Sequence, residues 1–250
     1  MRRIPLAVVF LMLAGFLPAQ TFEDAMAAYQ RGQVFSAAQA FKQLAEKGDV
    51  KAQVILGTLY SSGKGVPQDD AEAARWFQKA ADQGDAKAQF TLGTLYSRGK
   101  GVPEDKAVAM GWYRKAAEQG HPEAQYDLGV LYQTGEGEEK DPAEAARWYA
   151  EAAASGNARA EFNLGLMYLK GEGVPLDKSK GVRFCKRAAL GGLAEAQFGM
   201  GALYEIGDGV PQDRAEAERW YRMAAKQGHE KAQAALRRLS GEPTPATAKP

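Results

Sequence analysis

Between residues 49 and 239 the apolar positions fall into two alternating helical stripes, and the pattern returns every 36 residues without insertion or deletion. In one copy, Ala88, Leu92, Leu95 and Tyr96 stand at i, i+4, i+7 and i+8, the spacing of one helix face. Gly99 and Gly101 then end that helix, because glycine tolerates positive φ. Val102-Pro103 carries the chain on, and Asp105 is placed to cap the next helix. Ala109, Trp112, Tyr113, Ala116 and Ala117 form the second stripe, and Gly120 stops it. His121-Pro122 opens the following copy, with proline where a helix begins.

The register holds in every column. Ala-Gln pairs begin at Ala52, Ala88, Ala124, Ala196 and Ala232, with Ala160-Glu161 in the same place. Leu56-Gly57 recurs through Met200-Gly201, Tyr60 through Tyr204, Asp69 through Asp213, and Trp76 through Trp220 with Phe184 as the exception. A fixed period of this length means a solenoid, in which each unit packs on its neighbours. Gly93, Ala116 and Ala117 let two helices approach, and Trp112 and Tyr113 are expected to fill the space between units. The predicted fold is all-α: a right-handed α/α superhelical solenoid of about six helix-hairpin repeats plus a capping helix.

The ends depart from the repeat as solenoid caps do. Residues 20–48 read as an N-terminal capping repeat whose inter-helix link is about five residues shorter than in the repeats. Residues 49–229 hold five full repeats, 230–239 a C-terminal capping helix, and 240–250 a Pro/Thr/Ala-rich disordered tail. Residues 1–19 have the form of a secretory signal: Arg2 and Arg3, then an apolar run from Ile4 to Leu17, then Pro18-Ala19. This predicts an exported protein, periplasmic or extracellular, with no stable membrane insertion once the signal is removed.

The remaining composition narrows the function. Basic and acidic residues nearly balance, 32 against 31, so no basic excess points to nucleic acid. Cys185 is the sole cysteine, and its column otherwise holds Phe77, Tyr113, Tyr149 and Tyr221, so it reads as a small core substitute. The only histidines, His121 and His229, share one repeat column three units apart. That separation excludes a shared metal or triad, and helix-start duty accounts for both. No metal or cofactor site and no catalytic residues are predicted. Ser61-x-x-Lys64 and Ser97-x-x-Lys100 match the S-x-x-K of penicillin-recognising enzymes. However, a nucleophile motif should not recur as a repeat column, and S-D-N and K-T-G partners are missing.

Residues 88–120 resemble the repeat of the Sel-one-like family, relatives of the tetratricopeptide repeats, nearly in full, and the resemblance covers residues 49–239. It implies an all-α solenoid that binds other proteins or peptides, as an adaptor, assembly factor or regulator, many of them in the bacterial envelope. Some cysteine-rich exported members are linked to β-lactam binding, which leaves β-lactam or peptidoglycan binding or hydrolysis as an alternative. Those relatives carry a Cys pair in each repeat, and this chain does not. The resemblance also puts the first helices on the concave face, with an aromatic column at Phe90, Tyr126, Phe162 and Phe198. Beside it lie the variable polar positions Asp127, Asn163, Arg98 and Lys170. An aromatic floor with polar sides suits an extended peptide or a helix, while packing of first helix on first helix is the competing account of the aromatics.

Two departures from the period remain. The third unit carries an acidic link, Glu136, Glu138, Glu139 and Asp141, and the fourth unit's second helix is basic, with Lys178, Lys180, Arg183, Lys186 and Arg187. Each reads as a solvated face or a docking patch, and attraction between the two across adjacent units is a further reading. No motif sets the oligomeric state, and a self-associating structural element is a further reading.

Overall fold

In a computed structural model the described residues, 21–241, are helical throughout apart from short links. The signal-like segment 1–19 and residues 242–250 lie outside them. Two helices open the chain, α1 (Phe22–Gln30) and α2 (Val34–Glu46). The five repeats then supply α3 (Val50–Ser62) with α4 (Asp70–Asp82), α5 (Ala86–Arg98) with α6 (Lys106–Glu118), α7 (Pro122–Thr134) with α8 (Pro142–Ala154), α9 (Ala158–Lys170) with α10 (Lys178–Leu190), and α11 (Ala194–Ile206) with α12 (Arg214–Lys226). The closing helix is α13 (Glu230–Ser240). The chain divides into two compact units, one ending at Asp105 and the other starting at Lys106.

Local chemistry sets the helix ends. Asp49, Asp85 and Asn157 accept the N–H three residues on, and His121 and His229 do the same through Nδ1. Both histidines therefore act as helix caps. Leu193 occupies this position before α11 and makes no side-chain cap bond. At the second helices, Asp69, Asp141 and Asp213 each accept two N–H groups, at 2.9–3.1 Å. The first glycine of each G-x-G closes its helix in the left-handed region, from Gly63 at φ 68° to Gly207 at φ 76°.

The second glycine of the pair has a different task. A Cβ on Gly101 would stand 2.1 Å from the Asp70 carbonyl oxygen, and one on Gly173 would stand 2.2 Å from that of Pro142. These glycines bring the loop of one hairpin against the start of the preceding hairpin's second helix. Packing between hairpins, not turn geometry alone, requires them.

In the first, third and fifth hairpins the Leu/Met-Gly glycine faces an aromatic ring of the second helix. Its Cβ would meet Phe77 at 3.1 Å from Gly57, Tyr149 at 2.7 Å from Gly129, and Tyr221 at 2.5 Å from Gly201. The Tyr/Phe column thus fills the hairpin interior, whereas the sequence pattern had placed it between units with Trp. The tryptophans do lie between units: Trp76 packs with Phe41 and Leu56, and Trp220 with Cys185 and Ala189. In the fourth hairpin, Cys185 and Gly181 replace the ring and the usual alanine. A Cβ on Gly165 would be 2.9 Å from the Gly181 carbonyl, against 3.3 Å for the Gly129–Ala145 equivalent, so these two helices approach more closely.

Two boundaries differ from the sequence reading. Ser240 ends α13 and Gly241 caps it, so the helix continues one residue into the segment expected to be a tail, since a left-handed glycine at 241 supplies the stop. The α1–α2 link is residues 31–33, against 63–69 in the first repeat, four residues shorter rather than about five.

Candidate functional site

The buried glutamine column explains the repeated Ala-Gln pair. Gln53, Gln125 and Gln197 donate from Nε2 to the carbonyls of Ala45, Ala117 and Ala189, at 3.1–3.2 Å, near the end of the preceding second helix. These bonds satisfy carbonyls that a helix terminus leaves open. The amide oxygens of Gln53 and Gln197 accept from Gln83 and Gln227, at 2.8 and 2.9 Å. The place of Gln83 is taken by Ser155 in the third repeat and Gly191 in the fourth. Gln125 Oε1 is buried without a hydrogen-bond partner among the described residues. In the fourth repeat Glu161 replaces glutamine, and its buried carboxylate pairs with Arg187. The glutamine pairs stand 30 residues apart, and Glu161 and Arg187 stand 26 apart.

The tyrosine hydroxyls emerge on the first-helix face and select the residue beside them. Tyr149 donates to Gln133 Oε1 at 2.8 Å and Tyr221 to Glu205 at 2.7 Å. Where Cys185 replaces tyrosine, the residue in that column is the buried Leu169. Burial raises the pKa of both Tyr149 and Tyr221, so each stays a neutral donor. Burial likewise pushes the Cys185 thiol up to about 12. It is a packed apolar group with no nucleophilic character.

The candidate residues sort as follows. Tyr126 is half-buried and its hydroxyl pKa is raised, first by burial. Asp127 and Glu195 add to the rise, and Arg159 and Asn163 oppose it. Asn163 acts in the same direction on Tyr149. Tyr126 and Asp127 stand on α7, Arg159 and Asn163 on α9, and Glu195 on α11. Phe162 packs toward α11, where a Cβ on Gly199 would meet its ring at 2.9 Å. Phe198 stacks on His229 with centroids 4.8 Å apart and tilts against Tyr221 at 5.5 Å. These two rings join neighbouring helices. Phe90 is half-buried on α5, Arg98 is exposed at the end of α5, and Lys170 is exposed at the end of α9. An open depression of about 450 Å³ at the start of α9 is lined by Glu123, Asn157, Arg159 and Leu193 among others.

The two charged departures do not pair with each other. Glu138 binds Arg114 at 3.0 Å, Arg114 also donates to the Tyr132 hydroxyl at 2.7 Å, and Glu136 meets Lys106 at 3.5 Å. The acidic link thus docks on α6, the second helix just before it, not on α10. The Lys100 ammonium lies 3.3 Å from Asp70, which engages the lysine of one S-x-x-K match in an ordinary contact between hairpins. Among the described residues no helix is long and apolar enough to cross a membrane.

Comparison with known proteins agrees with this architecture. The Sel1 repeat model matches residues 50–85, 86–121, 122–157, 158–193 and 194–229. Among solved structures, a protective antigen of uropathogenic Escherichia coli strains displaying an SLR fold is 34% identical with a TM-score of 0.82. The match covers 89% of this chain and 50% of the antigen, so this chain spans half of that protein's length. A Sel1 repeat protein from Oxalobacter formigenes is 32% identical with a TM-score of 0.80, covering 92% of this chain and 98% of that one. No curated protein matches. Such repeats generally serve as non-catalytic modules for protein–protein interaction. The period, the hairpins with their glycine seams and the five matched copies together place this chain in the Sel1 repeat family.

Proposed function

We propose that this protein is an exported, non-catalytic scaffold of the bacterial envelope that binds a protein or peptide on its first-helix face. The reading rests on the half-buried Tyr126 ring, which tilts against Tyr149 with centroids 5.8 Å apart, and on Asp127, Asn163, Arg159 and Glu195, whose charges and dipoles act on its hydroxyl. Donors, acceptors and both charges lie there beside half-buried aromatic surface, the mixture that recognises a peptide backbone together with its side chains. The signal-like residues 1–19 support export, and the similar structure is described as a protective antigen.

A photo-crosslinking residue at Asp127 in the full chain, expressed in its native compartment, should trap a partner. With that partner purified, Asn163→Ala and Arg159→Glu should each weaken binding about 10-fold, the scale of a residue at the centre of an interface. Unchanged affinity in both variants would refute the assignment of this face. Cell fractionation tests export independently: a mature chain that retains residues 1–19 in the cytosol would contradict it.

A further inference from the structure

The outer faces of three second helices share a pairing that α10 lacks, as does α6, where Val108 and Gly111 hold the two positions. On α4, α8 and α12 an outward arginine pairs with a glutamate one turn earlier: Arg75 with Glu72, Arg147 with Glu144 and Arg219 with Glu216. On α10 the glutamate position is Lys180, whose ammonium turns aside to donate to the Tyr168 hydroxyl at 2.6 Å. Arg183 is left exposed without an acidic partner among the described residues, and so is Lys186. The whole helix, Lys178 to Leu190, contains no Asp or Glu. Two more of its cations, Lys178 and Arg187, are engaged by Asp208 and Glu161 yet remain more than half exposed.

Leu190 lies in the same stripe. Arg183, Lys186 and Leu190 stand at i, i+3 and i+7, about 10 Å along the helix. Leu190 is 67% exposed, in a column that elsewhere holds Asp82, Glu118, Ala154 and Lys226. Its side chain is not required by the packing of this repeat. Next to α10, α12 packs through Trp220 and Met223 and carries Lys226, which also lacks an acidic partner among the described residues. Because the chain as a whole is close to neutral, this cationic face is a local feature.

We infer that the outer face of α10, extended by Lys226, docks an acidic segment of a partner protein and seats an apolar side chain of that segment on Leu190. Arg183 and Lys186 are one helical turn apart, which matches carboxylates at helical spacing on the partner. Charges of this kind steer association and set partner choice, and the contact weakens with salt. This surface is separate from the first-helix face, so the two assignments stand or fall independently.

The test uses the full chain and a fluorescein-labelled peptide of Glu and Leu in helical spacing, read by anisotropy at about 50 and 300 mM salt. Wild type should bind, more weakly at the higher salt. Arg183→Glu with Lys186→Glu should lose at least about 10-fold in affinity, and Leu190→Ser about 3-fold. Lys42→Glu, an exposed cation of α2, should bind as wild type does. Circular dichroism confirms that each variant is folded. Equal binding by wild type and the double charge reversal, or no binding at the lower salt, overturns the inference. Tighter binding to phosphatidylglycerol vesicles than to the peptide, lost in the same double variant, overturns it in favour of a lipid surface.

Discussion

Two glycines that both lie at positive φ should respond very differently to alanine. Gly156 follows the end of α8 at φ +84°, and a Cβ there would meet nothing within 4 Å. Gly173 lies in the α9–α10 link at φ +70°, and a Cβ there would sit 2.2 Å from the Pro142 carbonyl oxygen and 2.3 Å from its carbon. Both substitutions carry the left-handed strain of an L-residue, roughly 1–2 kcal/mol. Only Gly173→Ala also forces two backbones apart, and overpacking of this kind typically adds about 1–3 kcal/mol. The obstacle is a peptide group anchored at the start of α8, so no side-chain rotation relieves it. Urea denaturation followed at 222 nm should show a modest drop in midpoint for Gly156→Ala and a clearly larger one for Gly173→Ala, at similar slope. Equal midpoints for the two variants would refute the argument that the second glycine of each pair serves contact between hairpins.

Ser155→Gln should place a donor next to the unpartnered Gln125 Oε1, as Gln83 does for Gln53, and stabilise the protein by about 0.5–1.5 kcal/mol; an unchanged or lower urea midpoint would count against the pairing of these columns. Cys185, with its thiol pKa pushed up to about 12, is protonated at pH 8 and fully buried, so a chromogenic disulfide reagent should react only when the hairpin opens. Reaction in the native state as fast as in urea would contradict the packing described.

The helices themselves were legible because their determinants are local. The stripe Ala88, Leu92, Leu95, Tyr96, the Asp caps and the glycine stops act through neighbouring dihedrals and contacts within one turn, so the period of 36 alone placed the ten repeat helices. At the candidate site, Arg98 and Lys170 lie at exposed helix ends and Phe162 and Phe198 contact neighbouring helices, while Tyr126, Asp127 and Asn163 belong to the proposed binding face. Column variability marked these positions without distinguishing a polar group that faces its own hairpin from one that faces solvent.

By itself, the sequence determined the all-α class, the hairpin repeat and the capping residues, since these depend on patterns shorter than one unit. Only the tertiary structure decided what the invariant and exceptional residues touch. Gly173 meets Pro142, Gln197 meets both Ala189 and Gln227, Glu138 meets Arg114, and Tyr221 covers Gly201. Each of these contacts joins residues between 8 and 31 positions apart in the chain. Whether such groups fall within bonding or van der Waals distance depends on how closely two helices stack, and no local preference fixes that spacing.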